Sequence, residues 1–92
     1  MHWRTRVTLK IETIPGRSTT IKLIGRIQTE HLSELKAQVD LAAQGVVLDL
    51  SEVSLVNLEV VRFLCTCESR GVQLQNCSAY IREWIDREGK TQ

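Results

Sequence analysis

Val46-Val47-Leu48-Asp49-Leu50, running on through Ser51-Glu52-Val53-Ser54-Leu55-Val56-Asn57, is the stretch that decides the fold. Its first five residues are almost wholly apolar, which suits a strand covered on both faces, central in a sheet with helices packed on it. Both flanks switch to a helical period. Upstream, Leu32, Leu35, Val39 and Ala42 recur at helical spacing while Glu34, Lys36 and Gln38 fall elsewhere. Thr29 is placed to N-cap that helix, Glu30 to favour the positive end of its dipole, and Gly45 to end it in a left-handed conformation. Downstream, Ser51 to Val56 follow that strand, with 54–57 read as a loop. Asn57 then caps a second helix to about Arg70, with Val60, Val61, Leu64, Cys65 and Cys67 on its buried side and Gly71 closing it.

Farther out, Val7, Leu9 and Ile11 alternate with Thr8, Lys10 and Glu12, the period of a half-buried strand. Pro15-Gly16 fits a type II turn, with glycine supplying the positive φ. Alternation resumes at Ile21 and Leu23, completing an antiparallel hairpin. Val72 and Leu74, between Gln73 and Gln75, form a last strand with one wet face. Ser78 caps a final helix striped by Ile81, Trp84 and Ile85, with Tyr80 at its margin. The order β-β-α-β-α-β-α predicts a single α/β domain over 1–92, with its core at about 7–88 and a mixed sheet of about four strands. Residues 1–5 and 88–92 are expected to be loose.

The 92 residues suffice for one core, and 42% apolar with 25% charged is ordinary globular composition. A net charge of +1 offers no basic stripe for nucleic acid. No apolar run reaches the roughly 20 residues of a membrane span, and no secretory signal opens the chain. Three cysteines without an export signal fit a reduced cytoplasmic setting. Cys65 and Cys67, two apart on a helix, point in different directions and suit small buried hydrophobes better than metal ligands. No metal site, phosphate loop or cofactor fingerprint is expected, and no positioned base marks a nucleophilic enzyme.

The chain from about residue 7 resembles the STAS family of anti-sigma-factor antagonists. The resemblance rests on Val47 to Asn57, on Gly25-Arg26-Ile27 before the first helix, and on Arg70-Gly71-Val72-Gln73-Leu74 followed by Ser78-Ala79-Tyr80-Ile81-Arg82. It implies a STAS-like fold and work as a non-catalytic regulatory module. The implied partners are an anti-sigma factor, a kinase-like ATPase or, as the alternative role, a transporter ATPase of the ABC type that moves lipid. A homodimer is left open, and direct membrane insertion is not implied.

Family members carry Asp-Ser-Ser/Thr-Gly where this chain has Asn57-Leu58-Glu59-Val60. The phosphorylated serine falls on Leu58, which has no hydroxyl, so the family's phosphorylation switch is not expected here. Gln28 replaces an aspartate, and a fourth helix found in many members is missing or vestigial. The candidate partner surface is Ser54, Leu55, Asn57, Leu58, Glu59 and Arg62. In it Asn57 sets the cap, Leu58 gives apolar contact, and Glu59 and Arg62 supply polar selectivity. Leu58 either stands exposed or tucks into the adjacent loop. Glu59 is either a standing phosphate mimic or an acid favoured by the helix dipole.

Overall fold

The computed structural model describes residues 9–42 and 45–90. Val7, Thr8 and the N-terminal segment that includes Trp3 lie outside the described residues, as do residues 91 and 92. The order is β1 (Leu9–Ile14), β2 (Thr19–Arg26), a 3-10 turn (Thr29–His31) running into α1 (Leu32–Leu41), β3 (Val46–Leu55), α2 (Leu58–Ser69), β4 (Gln73–Gln75) and α3 (Ala79–Lys90). This is a small α/β domain with the expected order of elements.

The sheet runs β1-β2-β3-β4. β1 and β2 form the antiparallel hairpin, whereas β2–β3 and β3–β4 are parallel pairs joined through helices. Residues paired across strands share a face, so the register sorts the side chains. Ile11, Leu23, Ile21, Leu48 and Leu74 lie on one face, and Lys10, Glu12, Lys22, Val47, Asp49 and Gln75 on the other. Ile21, Leu23, Leu48 and Leu50 join Leu35 of α1, Val60, Val61 and Leu64 of α2, and Ile81 and Ile85 of α3 in one buried cluster. All three helices therefore cover the first face. Val47 is buried too, but it stands outside that cluster.

Several local expectations are corrected. Gly16 does not have a positive φ. The connection runs from Ile14 to Thr19, so the reversal is spread over a longer loop than a type II turn. Gly45 is not left-handed either; its carbonyl accepts the N–H of Thr19 at 2.9 Å. The last helix continues through residues 88–90, where a loose end was expected. Glu88 there receives the Arg62 guanidinium at 3.5 Å. Gly71 does close α2, at φ 95°, and the Ser78 hydroxyl accepts the N–H of Ile81 at 3.4 Å to cap α3.

β3 is the largest correction. It does not end at Leu50 but continues through Ser54 and Leu55. From Lys22↔Asp49 to Ile24↔Glu52, β3 advances three residues while β2 advances two; from Gly25↔Val53 to Arg26↔Leu55, it advances two against one. Each slip inserts one extra residue, a β-bulge that bends the strand and resets which side faces the core.

Candidate functional site

The surface gathers where β2 and β3 end and α1 and α2 begin. Asn57 organises it. In extended conformation (φ −114°, ψ 179°), it offers its Oδ1 to the N–H of Val60 at 3.0 Å, satisfying a donor the helix cannot pair internally. Its Nδ2 donates to the Thr29 hydroxyl at 3.0 Å, so one amide ties the entry of α2 to the entry of α1. A backbone bond from the Ile27 N–H to the Leu55 carbonyl, at 3.0 Å, fastens the same two loops. Gly25, at φ 108° within β2 where its register with β3 slips, holds a conformation that a side chain would oppose.

Thr29 thus does not cap the first helix as expected; His31 stands at the N-cap of α1. Gln28 caps the preceding 3-10 turn, its backbone N–H donating to the His31 Nδ1 at 2.9 Å while the His31 N–H returns to the Gln28 carbonyl. The exchange frees the Thr29 hydroxyl for Asn57. This pairing across 28 residues has no local signature, which is why the sequence did not reveal it.

Around this clamp the predicted residues divide. Leu55 is 50% exposed and Leu58 is 38% exposed, and both flank the buried Val56. The bulges near the end of β3 carry Leu55 off the core face, and Leu58 stands on the first turn of α2 rather than tucked away. Ser54 and Glu59 are exposed as well. Ser54 and Leu55 belong to a strand end, not to the expected loop. Arg62, one turn beyond Leu58, reaches toward Glu88 of α3, so its guanidinium is partly engaged. Glu59 sits in the first turn of α2, where the dipole favours an acid.

A groove of about 240 Å³ opens beside this surface, lined by Leu32, Lys36, Glu59, Arg62, Phe63 and Thr66. Phe63 and Leu32 were not among the predicted site residues. Phe63 lies on α2 two positions after Val61, so its place on the α1 side depends on the helix's final rotation.

The thiols lie away from this edge. Burial pushes the Cys67 thiol up to about 11, and burial raises those of Cys65 and Cys77 as well. The Cys65 thiol donates to the Ile85 carbonyl at 3.3 Å. These surroundings disfavour the thiolate, which is the nucleophilic and metal-binding form. Among the described residues no cluster of His, Cys, Asp and Glu is placed to hold a metal, and no helix is long and apolar enough to cross a membrane. No protein-family model matches the chain, and no curated protein matches it either.

Proposed function

We propose that this protein is a non-catalytic, STAS-like interaction module that recognises a protein partner through the end of β3 and the start of α2. The observation that carries the reading is the pair Leu55 and Leu58, two exposed leucines held on either side of a doubly bonded Asn57. Apolar side chains on a fixed backbone lose little further freedom on binding, so their burial converts efficiently into affinity. Glu59 and Arg62 supply a polar rim. Leu58 carries no hydroxyl, and the module works without phosphorylation at that position.

The resemblance names the partner class as an anti-sigma factor, a kinase-like ATPase or a transporter ATPase. The test is capture from the native host, followed by binding of the purified partner to the wild type and to Leu58→Asp. A carboxylate at the apolar centre is expected to weaken binding at least about tenfold with the fold unchanged by circular dichroism. Equal affinity would remove the surface. Phosphate found on residues 57–59 after incubation with ATP and a captured kinase would restore the switch that this reading discards.

A further inference from the structure

The outer edge of β1 carries the next inference. Among the described residues β1 pairs only with β2, so its other edge offers unpaired backbone donors and acceptors. Edge strands invite pairing unless their side chains oppose it, and on β1 they favour one partner. Lys10 and Glu12 stand on the face that no helix covers among the described residues, with their heads 3.3 Å apart. Ile11, between them, faces the helical layer, and it and Leu9 are only half-buried at that layer's margin.

We propose that two copies of this chain pair antiparallel through β1, centred on Ile11, to form one continuous sheet. That register sets Lys10 opposite Glu12 of the second copy, twice by symmetry, and Ile11 opposite Ile11. Sliding the copies to the adjacent registers that keep the faces aligned sets Lys10 against Lys10 or Glu12 against Glu12. Like charges directly opposite are destabilising, so the charge pattern selects a single register.

The row extends inward. Glu12 is already opposite Lys22, and Lys22 opposite Asp49. Pairing therefore completes an alternating line from Asp49 through Lys22 and Glu12 to Lys10 of the second copy. Lysine on an edge ordinarily repels other strands. Here each lysine meets an acid, so a second copy is accepted while a strand of uniform charge is not.

Sedimentation of the intact protein from micromolar to millimolar concentration tests the proposal. The wild type is expected to dimerise, and more weakly in high salt. Lys10→Glu alone and Glu12→Lys alone each place like charges in both cross-pairs and are expected to weaken self-association about tenfold or more. Mixed in equal amounts, the two variants restore every opposite pair and are expected to form a heterodimer. A wild type that stays monomeric, single variants that dimerise as well as the wild type, or a mixture that does not associate would each overturn the proposal. Hydrogen exchange on the wild type needs no variant. The β1 amides gain protection as concentration rises if the edge pairs, and exchange independent of concentration sinks the idea.

Discussion

The two faces of the sheet are built from the same strands and hold together in different ways. Ile21, Leu23, Leu48 and Leu50 turn one face toward the helices and are at most 2% exposed. Lys10, Glu12, Lys22, Asp49 and Glu52 dominate the other, with ion pairs at Lys10–Glu12 and Lys22–Glu52, the latter at 3.0 Å. Hydrogen bonding and attraction to Glu52 raise the Lys22 pKa, but the group is exposed and water screens most of that interaction. The covered face carries the stability of the fold. The open face is under weaker energetic constraint, which leaves its charges available to select a partner.

Leu48 and Val47 break or sharpen that comparison most directly, because adjacent residues point to opposite faces. Leu48 is fully buried within the core cluster; Val47 is buried but outside it. Leu48→Ala leaves a cavity under three helices and is expected to cost about 3 kcal/mol in denaturant unfolding. Val47→Ala removes less volume from a face where solvent and neighbouring side chains can close in, and is expected to cost about 1 kcal/mol. Equal losses would mean that the helix-free face is as tightly packed as the other.

The covered face is also the one that was legible in the sequence. Leu9 and Ile11, Ile21 and Leu23, and the apolar run at Val46 to Leu50 announce strands, and Leu35, Leu64, Ile81 and Ile85 fall where helical period puts them. The second half of β3 was not legible, because its extra residues break the period of two on which strand reading depends. The candidate surface was legible only in part. Asn57 follows from its place as a helix cap and Leu58 was singled out through the family resemblance, whereas the Thr29 bond and the exposure of Leu55 depend on how two distant loops meet and how a bulged strand bends.

A smaller effect tests how the covering layer is fastened. Asn57→Ala removes both the α2 cap and the tie to Thr29, and is expected to cost about 1 kcal/mol. Thr29→Val keeps the Asn57 cap on the Val60 N–H but removes the hydroxyl that accepts the Asn57 Nδ2. Thermal unfolding of the two variants separates the contributions. Little loss in Thr29→Val identifies the cap as dominant, while a loss equal to that of Asn57→Ala assigns the effect to the bridge between loops.

The smallest expected effect belongs to the open face. The Asp49 carboxylate accepts the Ser51 N–H at 3.0 Å and the Asn76 Nδ2 at 3.2 Å, linking β3 to the end of β4. Asn76 holds a left-handed φ of 57°, a conformation asparagine tolerates better than most residues. The Ser51 backbone bond, more than any other influence, holds the Asp49 carboxyl below its ordinary value. A lowered folded pKa means that ionised Asp49 stabilises the protein above the unfolded carboxylate pKa, and that this contribution is lost as pH falls through the folded value. Asp49→Asn is therefore expected to lower Tm by about 2 °C at neutral pH. The gap to wild type should close progressively below about pH 4. Tm measured against pH for both proteins checks the sign. A difference that stays constant into acid would assign the effect to side-chain shape rather than charge.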